Sequence, residues 1–356
     1  MGKIFAFFPR GGKINKPMPI VEEYIPAARF LEGFNGKILL ASHENPDADT
    51  IGSACALYLF LKKLGKNVKL GCKDKVPYFV DFLPASRDFI KLPTDEEFDL
   101  CIVVDAAHKG RIGAPVKAKQ FMRIDHHKGG EFYGEQDLID VEAPATAAVV
   151  HYLLSNWKPE LIDRDIATCI YTGLVGDTGF FTNSNTDAKT LKLAALLAER
   201  YKVDPHYVAV NIKERNPLGR FKLLSKVLDT LELHAGGKIA SMYVLKEWLD
   251  ETGASYEDTE GFVNYARGIE GVDVALFIVE RPQEGVWKIS LRSKEKTDVS
   301  VICEKFGGGG HKYAAGCKIP RTKELDEVKR ELLEEIEKQM RLQGVLKEEE
   351  LKTDSG

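Results

Sequence analysis

From Lys37 onward the chain alternates short apolar runs with longer amphipathic ones. "KILLAS" (37–42) reads as a buried strand, and residues 50–64 as a helix that Gly65 ends. "NVKLGC", "LCIVVDAA" and "FMRID" are further strand candidates, and 144–157, 163–175 and 187–202 are helix candidates. Strands alternating with helices predict an α/β fold with a parallel, Rossmann-like sheet covered on both faces. After Tyr207 the rhythm changes. "NIKERNPLGRFKLLSKVLDTLE" reads as helix, a helix start at Pro217, then helix again. Two hairpins follow, "LELHAGGKIASMYVL" and "DVALFIVERPQEGVWKISLRS", the second turning at "RPQEG". A helix at 322–342 closes a smaller α+β unit.

These patterns predict a first domain over 1–207, a helical linker over 208–230 and a second domain over 231–345. Residues 1–35 form an N-terminal extension with a short helix packed on the first domain. Residues 346–356 are charged and expected to be loose.

At 356 residues there is material for two cores. A net charge of −4 and a pI near 6.1 argue against wholesale binding of duplex nucleic acid. A small anion held by a few local cations fits better. Cys55, Cys72, Cys101, Cys169, Cys303 and Cys317 form no CxxC pair and mostly sit in apolar runs, so they read as small buried hydrophobes. The apolar runs are shorter than the ~20 residues of a membrane helix. The apolar stretch in "MGKIFAFFPRGGK" is too short for a secretory signal. A cytoplasmic enzyme or binding protein is the expectation, with no membrane partner.

The chemistry concentrates where apolar segments end. His43, Asp47 and Asp49 follow "KILL", Asp105 follows "LCIVV", Asp125, His126 and His127 complete "FMRI", and Asp177 follows "CIYTGLVG". In an open α/β sheet, groups at the carboxyl ends of adjacent strands share one crevice. Several carboxylates brought together there repel one another, and burying one unpaired carboxylate costs several kcal/mol. Either some are protonated or a cation joins them. Oxygen donors with one or two imidazoles suit Mn²⁺ or Mg²⁺, and a shared carboxylate could hold two ions ~3.5–4 Å apart. Plainer roles compete: Asp49 as N-cap of helix 50–64, Asp177 as a turn residue before Gly179. His151, His206 and His234 read as ordinary core or surface histidines, and His108 is unassigned.

"SHENPDADTIGS", "VVDAA", "RIDHHKGG" and "GLVGDTGFF" together resemble the four motifs of the DHH phosphoesterase superfamily. "FGGGGHKYAAG" (306–316) resembles the glycine-rich motif of its companion domain, DHHA1. The resemblance spans about residues 35–320. It is similar to the branch of nanoRNases, pAp phosphatases and di-adenylate phosphodiesterases. It implies a metal-dependent phosphoesterase with its active site in the interdomain cleft. One Mn²⁺ would have His43, Asp47 and Asp105 as ligands, and a second Asp49, Asp105, His126 and Asp177. Mg²⁺ or another divalent ion is the alternative cofactor. Catalytic roles would fall to Asp105, to His127 facing the phosphate and to Asp125 orienting a histidine. Ala48 and Thr50 stand where the family often has Gly and Ala or Ser.

In the second domain the resemblance assigns Gly308, Gly309, Gly310 and His311 to the substrate. Glycine backbone also approaches an anion closely, since no Cβ intervenes. Arg292 with Ser293 at a strand end could take a phosphate. Arg267 and Arg111 are weaker candidates. The implied reaction cleaves short oligonucleotides or linear dinucleotides such as pApA to nucleoside monophosphates by a two-metal-activated hydroxide. Cyclic di-AMP is a further candidate substrate. A pAp 3′-phosphatase and a catalytically inactive nucleotide-binding sensor are the alternatives. A homodimer is the base-rate expectation.

Overall fold

The computed structural model describes residues 22–294 and 296–346. Residues 1–21 and 347–356, most of the expected N-terminal extension and of the expected tail, lie outside the described residues.

The first domain runs α1 (Ile25–Gly33), β1 (Ile38–Ala41), α2 (Ala48–Lys63), β2 (Val68–Cys72), β3 (Phe89–Lys91), β4 (Glu97–Val104), β5 (Lys117–Asp125), β6 (Leu138–Ile139), α3 (Thr146–Trp157), α4 (Arg164–Asp177) and α5 (Ala188–Tyr201). The six strands form one parallel sheet in the order β3-β2-β1-β4-β5-β6. Along β1, Ile38 and Leu40 join the core cluster that includes α2, α3 and α4, while Leu39 and Ala41 join another on the opposite face. Burial on both faces is why these strands read as continuous apolar runs rather than alternating ones. The strand order reverses between β1 and β4, so a crevice opens at their carboxyl ends. The expected helix before β1 is α1, whose Ala27, Ala28 and Leu31 are buried against this domain.

Two helices follow, α6 (Pro205–Lys213) and α7 (Leu218–Leu228), with Pro217 preceding the second. Leu223 and Val227 of α7 belong to a core cluster of the second domain. That domain continues with β7 (Glu232–His234), β8 (Ile239–Val244), α8 (Lys246–Thr252), α9 (Val263–Arg267), β9 (Val274–Arg281), β10 (Val286–Ser293), α10 (Ser300–Lys305), β11 (Gly309–His311), β12 (Ala314–Pro320) and α11 (Leu325–Leu342). Its sheet order is β11-β12-β10-β9-β8-β7, with β8 and β9 parallel and the other pairs antiparallel. Odd positions of β10 (Trp287, Ile289, Leu291) pack beneath α10 and α11. Even positions (Val286, Lys288, Ser290, Arg292) are less buried and look the other way. The glycine-rich stretch is no loose loop: its parts pair as β11 and β12 at the edge of this sheet.

Among the described residues, no helix is long and apolar enough to cross a membrane. All six cysteines are buried and unbridged.

Candidate active site

Four segment ends deliver the acidic and imidazole groups to the crevice. After β1 the chain turns through His43 into α2, where the Asp47 carboxylate caps the helix by accepting from the N–H groups of Asp49 and Thr50, each at 3.0 Å. Asp49 therefore does not cap α2. Its carboxylate instead accepts from Thr146 N at 2.7 Å and Ala147 N at 2.9 Å, at the start of α3. Asp177 ends α4. α2 and α4 approach closely because Gly52 and Gly173 stand where they meet: an added Cβ would lie 2.5 Å from Cys169 O and 2.8 Å from Asp49 Oδ1 respectively. Farther along, a Cβ on Gly176 would lie 2.5 Å from that of Ala48. Alanine at 48 is thus accommodated by glycine at 176, and Asp49 and Asp177 come together.

Asp105 follows β4 in a left-handed conformation, φ 61°. Such a backbone costs of order 1–3 kcal/mol away from glycine, less for Asp, and is typical of functional sites. It aims the carboxylate into the centre, where Thr146 Oγ1 donates to Oδ1 at 2.8 Å. Oδ2 lies 3.6 Å from His43 Nε2 and Oδ1 lies 3.8 Å from His126 Nε2. Asp47 Oδ1 is 3.8 Å from the same His43 nitrogen. His126 Nε2 is also 4.0 Å from Asp49 Oδ2 and 3.8 Å from Asp177 Oδ2. Two donor sets result, His43–Asp47–Asp105 and Asp49–His126–Asp177, with one oxygen of Asp105 facing each.

These groups fit divalent ions. His43 Nδ1 lies 2.9 Å from Glu44 O and His126 Nδ1 3.2 Å from Ala143 O. With the proton on Nδ1, each Nε2 presents a lone pair to carboxylate oxygens too distant to hydrogen-bond. His126 Nε2 is buried with no hydrogen-bond partner. An ion bonded at about 2.0–2.2 Å to each donor spans such separations. Burial and then the Asp177 charge raise Asp49 to about 7, and burial and then Asp47 raise Asp177 to about 7. Asp105 is pushed well above the usual carboxylate range by burial and then by Asp49 and Asp47. Burial holds His43 and His126 below the ordinary histidine value, hence neutral. Neutral imidazoles and strained carboxylates are the state a cation stabilises.

The signature's other two residues are arranged differently. Burial opposes the charge on Asp125, but the hydrogen bond from His127 and the charges of His127 and Arg123 hold it below the usual range. Oδ1 accepts from His126 N, His127 N and, at 2.7 Å, His127 Nδ1. Oδ2 accepts from the guanidinium of Arg123, 1% exposed, at 2.8 Å from Nε and 2.6 Å from Nη2. Asp125 thus fixes the ring of His127, whose pKa it raises against the effect of burial.

The second domain meets this centre through His311. Its ring lies 4.5 Å from that of His127 and 5.1 Å from that of His126, centroid to centroid. Gly308 precedes β11, along which Gly309 and Gly310 lead into it; a Cβ on Gly308 would lie 2.2 Å from Gly316 O, so that position admits no side chain. Arg292 acts electrostatically on Asp177 and on Arg267, and Arg267 Nη2 lies 3.5 Å from Asn183 Oδ1. Ser293 does not join them. One residue beyond Arg292, it faces the opposite side of the sheet, 1% exposed, with Oγ donating to Thr297 O at 2.6 Å. Arg111 lies on an exposed turn whose carbonyl accepts from Glu44 N at 2.6 Å, beside His43.

Sequence reasoning missed two groups. Arg123 sits two residues before Asp125 on the same face of β5, a period-two signal open to reading. Asn185 Nδ2 donates to Asp177 Oδ2 at 2.9 Å and to Pro144 O at 2.8 Å; nothing in "TNSNT" marks it. His151 is a buried core histidine, as expected.

Residues 37–174 match the family model "DHH family, N-terminal domain", and residues 236–341 match that of the "DHHA1 domain". The chain belongs to the DHH family. It is a phosphoesterase, a hydrolase acting on phosphodiester bonds. It is 33% identical to the bifunctional oligoribonuclease and PAP phosphatase NrnA of Thermus thermophilus, over 90% of this chain and 95% of that one. Identity to NrnA of Bacillus subtilis is 29%, over 82% and 92%. The crystal structure of an exopolyphosphatase-related protein from Bacteroides fragilis superposes with a TM-score of 0.79 at 25% identity, covering 92% of this chain and 99% of that one.

Proposed function

We propose that this chain is a phosphodiesterase dependent on two divalent ions, Mn²⁺ in preference to Mg²⁺. Its substrates are short oligonucleotides and linear dinucleotides such as pApA, and its products nucleoside monophosphates. The observation that carries the reading is the Asp105 carboxylate, whose two oxygens face separate donor sets at 3.6 and 3.8 Å. His43, Asp47 and Asp105 would hold one ion, and Asp49, Asp105, His126 and Asp177 the other. When bound, two such ions supply a hydroxide nucleophile at neutral pH and the positive charge that an in-line displacement at phosphorus needs.

The remaining work falls to this chain's own side chains. His127 is oriented through Nδ1 by Asp125, which leaves Nε2 to hand a proton to the leaving oxygen. Its raised pKa favours the protonated form that this step requires. His311, Arg292 and Arg267 bring donors to the phosphate from the second domain. The cleft between the domains suits a short, flexible strand, and the net charge of −4 does not favour a duplex.

Hydrolysis of pAp is a second activity, supported by the relatives named both oligoribonuclease and PAP phosphatase. Cyclic di-AMP tests the width of the cleft. The deciding experiment supplies pApA and Mn²⁺ to the purified protein and measures AMP, with Asp105→Ala as the inert control. No AMP from the wild-type chain overturns the reading.

A further inference from the structure

The two residues that follow His43 both reach across to the second domain. Their turn is fixed from the first domain: Glu44 N donates to Arg111 O at 2.6 Å, and Asn45 N to Asp74 Oδ2 at 2.7 Å. Gly113 makes room for the Glu44 side chain, since a Cβ there would lie 2.6 Å from Glu44 Oε2 and 2.8 Å from Lys73 Cδ. Glu44 Oε2 pairs with Lys73 Nζ at 2.9 Å within its own domain. Glu44 Oε1 pairs with Lys318 Nζ of β12 at 3.2 Å. Lys318 Nζ also meets Glu284 Oε2, in the turn between β9 and β10, at 3.0 Å. Glu284 Oε1 lies 3.4 Å from Arg281 Nη1, and Arg281 Nη2 lies 3.4 Å from Asn45 Oδ1, which closes the circuit. The Arg281 guanidinium is held from behind, 3.8 Å from the centroid of the Tyr256 ring.

Strand register places this circuit across one end of the cleft. On β12, Ala315, Cys317 and Ile319 enter the core, so Ala314, Gly316 and Lys318 face the other way. His311 is level with Ala314 and stacks on His127, which puts the metal-binding centre at that level. Lys318 lies four residues farther along β12, about 13 Å away. Arg281 of β9 pairs with Val286, itself level with Pro320. It therefore lies on the same face as Lys318 but two strands over, about 10 Å across the sheet. The circuit thus spans the sheet from β12 to β9 and forms a belt between the domains. An isolated exposed ion pair contributes little. Glu44, however, is paired through both oxygens, and its partner Lys318 is shared with Glu284. Burial opposes the charge on Glu44, yet Lys73 and Lys318 hold its carboxyl below the usual range. A strand that passed this end would have to part Glu44 from Lys318 and Asn45 from Arg281. Its phosphodiesters would also have to pass two carboxylates, and repulsion set against a competing ligand is a source of specificity.

We propose that this belt makes the cleft blind at one end, so that a strand is cut only near a terminus, with Glu44 and Glu284 as the residues that enforce it. The inference rests on the function proposed above, in which the scissile phosphate lies at the His43–Asp105–His126 centre. A strand engaged there has about 13 Å before it meets the belt. A short stub fits in that length, whereas the body of a longer strand must leave by the other side. A strand without a terminus, closed into a large circle, has no stub to offer and is excluded. The belt thereby selects end-on entry through its own charged side chains, independently of how tightly the centre holds a phosphate.

The test compares a linear oligoadenylate of eight residues with the circular strand of the same length and composition. The ratio of kcat/KM for the linear to the circular form is measured in the wild type, Glu44→Ala, Glu284→Ala and the double variant. The expected result is a wild-type preference for the linear strand that falls at least tenfold in Glu44→Ala and further in the double variant, through a gain on the circle. A wild type that cuts both forms alike, a ratio that the variants leave unchanged, or a ratio that falls only because the linear strand is cut more slowly overturns the belt. If the wild type hydrolyses neither form, equilibrium binding of the two to the full chain without added metal decides. The circle should then bind the double variant at least tenfold more tightly than the wild type, and equal affinities overturn the belt. Failure to hydrolyse pApA as well removes the proposed function and leaves that binding comparison standing.

Discussion

The imidazole of His127 stacks on that of His311, with ring centroids 4.5 Å apart and planes 22° from parallel. One ring belongs to the DHH domain and the other to its companion. They are also electrically unlike. Asp125 raises His127, whereas burial, and then the charge of His127, lower His311 to about 3. A ring that holds its proton more firmly than an ordinary histidine thus rests on a neutral one across the cleft. Replacing His311 with Ala removes this support and a phosphate donor. Activity on pApA is expected to fall on the order of 10²-fold. A kinetic comparison of His311→Ala and His127→Ala checks it, and wild-type rates in His311→Ala would remove His311 from the site.

Asp105 and Asp47 serve different numbers of donor sets, so their loss should be countable. Asp105→Ala is expected to retain neither divalent ion, whereas Asp47→Ala retains the one held by Asp49, His126 and Asp177. Elemental analysis of the purified variants reads the stoichiometry directly. Equal metal content in the two variants would contradict a shared carboxylate.

Asn185 touches no substrate in this scheme, yet it holds Asp177 by a hydrogen bond at 2.9 Å. Partners that orient a ligand carry part of a site's affinity. Asn185→Ala is expected to weaken the binding of added Mn²⁺ by about 10–100-fold, with activity restored at high metal concentration. A loss that excess metal does not restore would place Asn185 elsewhere in the mechanism.

The contact between α2 and α4 offers a test by compensation. Gly176→Ala would drive a methyl group to 2.5 Å from Ala48 Cβ. Overpacking of this kind costs about 1–3 kcal/mol, and displacement of α2 should also disturb Asp49. In the double variant Ala48→Gly/Gly176→Ala most of the loss should return. Denaturant unfolding of the four chains gives the coupling energy, and additive losses would show that the helices meet differently.

His151, fully enclosed in α3, is lowered to about 4 by burial. Its value in an unfolded chain is about 6.5. Between these values the unfolded chain binds a proton that the folded one refuses, so stability rises with pH there. The contribution is fully present above about 6.5 and is lost as pH falls towards 4. Between pH 7 and pH 5 the wild type should therefore lose up to about 2 kcal/mol that a His151→Gln variant does not. Urea unfolding at the two pH values checks the difference between the chains.

The candidate site was largely legible because its residues follow strand and helix ends, where an abrupt change from apolar to charged residues is visible in one dimension. Partnerships that depend on folding were not. Asp49 caps a helix that begins at Thr146, far along the chain, and only the packing of α2 against α3 brings them together. Ser293 was plausible beside Arg292 until the register of β10 turned it inward and left Ser290 and Lys288 on the cleft side. Parity along a strand can be counted from the sequence, but which parity faces a neighbouring domain cannot. The glycine-rich stretch conceals its structure for another reason. Four glycines argue for a loop by propensity, yet β12 supplies the partner that lets three residues pair as a strand.

β11 is the outermost strand of its sheet, three residues long and two of them glycine. Only one of its flanks is hydrogen-bonded to a neighbour. The companion domain thus presents His311 from the portion of its fabric that detaches at least expense, since little apolar surface and few bonds must be given up. Fraying of that hem would part the two imidazoles and unseal the cleft while both cores stay intact, so turnover could release its products without any hinge.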